Sequence, residues 1–157
     1  MTVNALFQFA ASFFGTIAFS VIFFVPREHY LGCGIIGGLG WLFYWWMTTF
    51  LELSYLPGTF FAAALVVVLS RICGVMFKCP ATIFLSSGIF PLVPGVGIYR
   101  TVYYMIIGEM DQSSVYGRRT IGTAIAIVLG IIFVFEIPQQ GIARIARLAE
   151  KGRRNKQ

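Results

Sequence analysis

The residues whose types and spacing carry the most chemistry form one run, Pro91-Leu92-Val93-Pro94-Gly95-Val96-Gly97-Ile98-Tyr99-Arg100. Proline has no N–H, so Pro91 and Pro94 leave the carbonyls of Ser87 and Phe90 without their helical donors. A second helix starting near Pro94 would aim its first amides, and the positive end of its dipole, back at the break. Such an end suits a carboxylate, and freed carbonyls suit a cation or an ammonium group. Ser86, Ser87 and Tyr99 would add hydroxyls and Arg100 a permanent positive charge. The chemistry is binding of a small charged solute. The plain alternative is a proline kink with no ligand.

The remaining polar residues form no catalytic set. His29, the single histidine, lies beside Arg27 and Glu28 in a short loop and reads as an interfacial residue. Cys33, Cys73 and Cys79 lack metal-ligand spacing and read as small buried apolar residues. Ser86-Ser87-Gly88 has no nearby base and no nucleophile-elbow pattern. We therefore expect no enzyme activity, no cofactor and no metal.

The elements that hold the run must lie in a membrane. Of 157 residues, 58% are hydrophobic and 11% charged, with a mean hydropathy of +0.82, whereas soluble domains carry about 25% charged residues. This excludes a soluble enzyme, a disordered chain and a disulfide-stapled secreted module. The net charge of +6 gathers toward the C-terminus. A membrane surface accounts for it, and no nucleic-acid-binding motif is present.

Uncharged or nearly uncharged runs predict an all-α integral membrane protein with about five spans, near residues 3–25, 31–50, 58–77, 81–108 and 120–137. The first lacks the basic n-region and cleavage site of a signal peptide and is expected to stay. The fourth has 28 residues, about 42 Å as one straight helix, which exceeds a hydrocarbon layer of about 30 Å. A break at Pro91 and Pro94 resolves the excess. With five spans, Arg27, Arg71, Lys78 and six basic tail residues share one side, against Arg118 and Arg119 on the other. The positive-inside rule then places the N-terminus outside and the C-terminus in the cytoplasm. Residues 139–157 read as a basic amphipathic tail on the anionic inner leaflet, or as a solvated topogenic tail.

Two small-residue faces, Gly34 with Gly38 and Gly122 with Ala126 and Gly130, predict close helix neighbours, from this chain or from another. Arg100 lies inside a span, where a charge costs on the order of 3 kcal/mol. It faces a cavity, or it snorkels outward to Glu109 and Asp111.

The Pro91-Leu-Val-Pro94-Gly95 core followed by Tyr99, with the earlier Lys78-Cys79-Pro80 and Val25-Pro26-Arg27, resembles the small C-terminal-half subunit of the threonine/serine exporter family. The resemblance covers essentially the whole chain. It implies half of a secondary exporter in a bacterial plasma membrane, partnered by a second membrane subunit that resembles the family's N-terminal part. Pro91, Pro94, Gly95 and Tyr99 match the motif. Substrates would be threonine and serine, or a dicarboxylate such as succinate, and a carboxylate is common to all. Glu52, Glu109, Asp111 and Glu136 all lie near span ends, so proton transfer would use a carboxylate of the partner. Two other readings stay open: a scaffold for a partner holding the transport path, and a small homo-oligomeric channel.

Overall fold

The computed structural model describes residues 2–137, and the tail expected at 139–157 lies outside them. Among the described residues all regular structure is helical: α1 (Thr2–Ile22), α2 (Tyr30–Phe50), α3 (Tyr55–Phe77), α4 (Ala81–Gly88), α5 (Gly95–Ile106) and α6 (Met110–Phe135). Local chemistry sets the stops. After α1, Phe24 takes a left-handed φ of 54°, the Val25 amide returns to the Ser20 carbonyl at 3.0 Å, and Pro26 bars further helix. After α3, Lys78 repeats the device at φ 53°, with the Cys79 amide on the Gly74 carbonyl, and Pro80 opens α4.

Helices α1, α3 and α6 are each long and apolar enough to cross a membrane. Residues Ala81–Leu92 and Gly95–Ile106 form a pair bent by 48°, which makes a fourth crossing if the pair is one span. The 21-residue α2 carries no charge, but its glycines, tryptophans and tyrosines hold its hydropathy below that of the other three. The bend is where the two prolines forecast a break.

Packing fixes the directions. Gln8 meets Trp41 and Phe13 meets Gly34, so α1 and α2 are antiparallel. Gly40 faces Val66 while Gly58 faces Tyr44, so α2 and α3 are antiparallel as well. Leu56 meets Gly122 and Phe60 meets Gly130, which makes α3 and α6 parallel. The core lies where α2, α3 and α4 converge, on Cys33, Ile36, Ala62, Val66 and Phe84. Helix α5 packs on α6 and buries none of its side chains.

Both glycine faces are filled by this chain. A Cβ at Gly34 would lie 2.8 Å from the Phe13 ring, one at Gly38 2.6 Å from Phe9, and one at Gly130 2.6 Å from the Phe60 carbonyl oxygen. Gly122 accepts Leu56, and Ala126 is buried. The close approach is between α1 and α2 and between α3 and α6.

The sequence places the start of the last span at residue 120, whereas α6 begins at Met110. Hydropathy stops at Arg118 and Arg119, but helical hydrogen bonding does not, so both arginines lie within α6.

Candidate functional site

The break is built by three successive turns. Phe90–Leu92 forms a 3-10 turn in which the Leu92 amide donates to Ile89 at 3.0 Å and the Val93 amide to Phe90 at 3.1 Å. The Phe90 carbonyl, expected to be orphaned by Pro94, is therefore satisfied by this tighter turn. Val93 is extended, as a residue before proline prefers. Pro94 then caps α5, its carbonyl accepting from Ile98 at 3.0 Å, while the Gly95 amide turns back to Val93 at 2.8 Å. The Val96 and Gly97 amides have no backbone acceptor among the described residues. Two N–H groups at the positive end of α5 thus remain available.

Two adjoining cavities flank this turn. The larger, about 310 Å³, is lined by residues 91–97, Trp41, Tyr44, Tyr55, Thr59 and Thr123. The smaller, about 170 Å³, is lined by Arg100, Tyr116, Arg119, Thr120 and Thr123 with Pro94, Val96 and Gly97. The shared wall is Pro94, Val96, Gly97 and Thr123. One end of the combined space is cationic and the other presents aromatic rings and hydroxyls. Its partners, the C-terminal half of α2 and the first turns of α3, set the break off the bundle's middle, toward the α2–α3 connection. A larger groove of about 520 Å³, lined by Leu39, Leu42, Phe43, Trp45, Trp46 and Phe50 with Ala5, Leu65 and Leu69, offers a charged solute no partner.

Pro91, Pro94 and Gly95 line the larger cavity and Arg100 the smaller. Three expected hydroxyls line neither. Ser86 is exposed on α4 and donates to the Thr82 carbonyl. Ser87 is fully buried on another face, beside Cys33. Tyr99 is 67% exposed and stacks on Tyr103.

Arg100 finds Tyr116 rather than an acid. Its Nη1 donates to the Tyr116 hydroxyl at 3.2 Å, with the guanidinium 5.3 Å from the ring centroid. Among the described residues no carboxylate pairs with it.

Tyr116, Arg119, Thr120 and Thr123 are not among the residues expected at the site from the sequence. They fall at i, i+3, i+4 and i+7, one face of a helix, a pattern visible only once α6 is extended back to Met110. Arg71, counted with the loop charges, is buried inside α3. It donates to the Val134 carbonyl at 2.6 Å and lies over Phe135 at 5.7 Å, so the last turn of α6 supplies the negative end it requires.

A family model described as Threonine/Serine exporter, ThrE matches residues 8–137, more than four fifths of the chain. No curated protein and no solved structure matches it.

Proposed function

Because the chain belongs to the threonine/serine exporter family, we propose that it is one subunit of a secondary exporter and binds its substrate's carboxylate at the break before α5. The supporting observation is the convergence of Arg100, Arg119 and the free Val96 and Gly97 amides on one cavity wall. Guanidinium groups and helix N-terminal amides both recognise carboxylates, and here they do so without a competing acid. Transport of this kind needs no covalent step, so the chain acts without a cofactor and not as an enzyme.

The solute is threonine or serine, or a dicarboxylate such as succinate. The lining favours the dianion: it holds two arginines and no carboxylate. An amino acid's ammonium would be left to carbonyls and to the hydroxyls of Tyr44, Tyr55 and Thr59.

The chain crosses a bacterial plasma membrane five times in this reading, with its N-terminus outside. Parallel α3 and α6 support it, since the bent pair must then carry the chain back across between them. Arg27, Lys78 and the basic residues of 144–156 then face the cytoplasm and its anionic leaflet. A second membrane subunit completes the path. It docks away from the two glycine faces, which this chain's own helices occupy, so those faces no longer favour the scaffold or the homo-oligomer.

The test is efflux of radiolabelled serine, threonine and succinate from cells expressing this chain, its partner, or both. Efflux only with both supports the reading. Efflux with neither, despite confirmed insertion, removes it.

A further inference from the structure

The chain's single histidine lies in a wedge of aromatic rings. The turn Arg27–His29 folds the α1–α2 connection inward, with the His29 amide donating to the Pro26 carbonyl at 2.9 Å. The His29 side chain is 9% exposed. Its ring stands edge-on to Phe77, at the end of α3, at 5.5 Å and to Phe84, in α4, at 5.3 Å. Phe84 is itself fully buried and fills the gap left by Gly32. One small ring thereby joins the α1–α2 connection to α3 and α4.

The two ring nitrogens have unequal surroundings. Nε2 faces the Glu28 carboxylate at 3.6 Å, and that carboxylate is mostly in solvent. Nδ1 is buried and has no hydrogen-bond partner among the described residues. The charged and titratable groups near the wedge on the elements packed here are Arg27 and Glu28 of the connection, Tyr30 and, one turn on, Cys33 of α2, Arg71 and Cys73 of α3, and Lys78 and Cys79 between α3 and α4. Helix α4 and the last turn of α3 bring none. Every carboxylate of the described residues is exposed, so the buried side chain with a proton to gain at this wedge is the His29 imidazole.

A neutral imidazole leaves Nδ1 as a single unmet acceptor. Protonation makes both nitrogens donors, and Nδ1–H becomes a charged donor among phenyl rings with nothing to accept from it. The ring then gains by swinging toward Glu28 and water, and α4 loses the contact that ties it to the connection. Helix α4 continues directly into Phe90–Leu92 and Pro94, the wall of the cavity described above.

We propose that His29 is a proton-binding site whose occupancy releases α4 from the Phe77–Phe84 wedge and so alters the break. The effect on transport rests on the exporter reading; binding of the proton and release of the wedge do not. The experiment is 15N NMR of the full chain labelled at histidine, in lipid nanodiscs without a polyhistidine tag, titrated from pH 8 to pH 5. Ring contacts between His29 and Phe84 are followed in the same samples. The expected result is one titration, with the Phe84 contact present in the neutral form and lost in the protonated form. A contact equally strong in both forms, or a ring that stays neutral and wedged at pH 5, overturns the proposal. Because one histidine gives one pair of ring-nitrogen signals, the outcome is read without any transport assay. In the assembled exporter, His29→Phe keeps the wedge filled and is expected to flatten the pH dependence of efflux between pH 5.5 and 7.5, and an unchanged profile counts against the proposal.

Discussion

Arg100 of α5 and Tyr116 of α6 clasp each other across the α5–α6 hairpin, hydroxyl to guanidinium at 3.2 Å and ring to cation at 5.3 Å. The contact fixes the arginine but uses one of its five donors. Arg119 follows Tyr116 by three residues and lines the same cavity. Arg100, held by Tyr116, and the exposed Arg119 thus line one cavity beside a helix N-terminus with donors to spare, an arrangement that a carboxylate would complete.

Removing either charge should weaken substrate binding. A hydrogen bond to a charged group is worth about 1.5–3 kcal/mol, or roughly tenfold to a hundredfold in affinity. Arg100→Gln and Arg119→Gln are each expected to raise the efflux KM by that factor. Arg100→Lys should recover part of the loss, since it keeps the charge but not the fork. A KM within twofold of wild type in both glutamine variants contradicts the assignment.

Two glycines separate folding from transport. Gly95 has no heavy atom within 4 Å of the position a Cβ would take, so Gly95→Leu should insert and fold. Because Gly95 lines the larger cavity, a leucine there is expected to crowd it, and efflux should fall severely. Gly130→Leu drives a side chain into the backbone at Phe60 and Ala64 and should not give a folded chain at all. Fluorescence-detected size-exclusion chromatography beside efflux distinguishes the two. Normal efflux in Gly95→Leu would remove the cavity from the pathway.

Arg71 should matter for stability without touching substrate. Arg71→Met removes the charged donor to the Val134 carbonyl, which keeps its backbone partner, the Ile137 amide at 3.2 Å, a loss of about 1–3 kcal/mol. The expected result is a clearly lowered melting temperature in detergent with an unchanged KM in the protein that remains folded. A melting temperature equal to wild type shows that the contact contributes nothing.

The Cys79 thiol, in the α3–α4 connection, is pushed above its ordinary pKa by burial and, to a smaller extent, by the Glu28 carboxylate. A raised thiol pKa means less thiolate near neutral pH and slower alkylation. Replacing Glu28 with Gln withdraws the negative charge, lowers that pKa and should speed maleimide labelling of Cys79 at pH 7. Equal rates in both proteins would show that the carboxylate does not reach the thiol.

Much of the helical architecture was legible in uncharged runs, because in lipid a backbone must satisfy itself and length alone limits the choices. The break was legible for the same reason, since Pro91 and Pro94 cannot donate. What hydropathy hid was the polar start of α6: an apolar window ends at charged residues, whereas the helix runs on through Arg118 and Arg119 to Met110. Arg119, Tyr116 and Thr120 were lost with that turn, and so was the second wall of the site. Ser86, Ser87 and Tyr99 illustrate the opposite error. Nearness in sequence to the break placed them at it, but rotation of about 100° per residue turns them to other faces. Arg71 and His29 looked like loop charges because sequence shows position along the chain, not which ring or carbonyl a neighbouring helix brings.

The most direct measurement is substrate protection of a cysteine in the shared wall. Thr123→Cys lines both cavities. It would be placed in a chain whose Cys33, Cys73 and Cys79 are alanine, assembled with the partner subunit, and alkylated with maleimide in the presence and absence of succinate, threonine or serine. At least one of these solutes is expected to slow labelling of Thr123→Cys several-fold at saturating concentration, and the protection should disappear when Arg100 and Arg119 are both replaced by glutamine. Labelling at the same rate with and without every solute that the assembled exporter transports would contradict it.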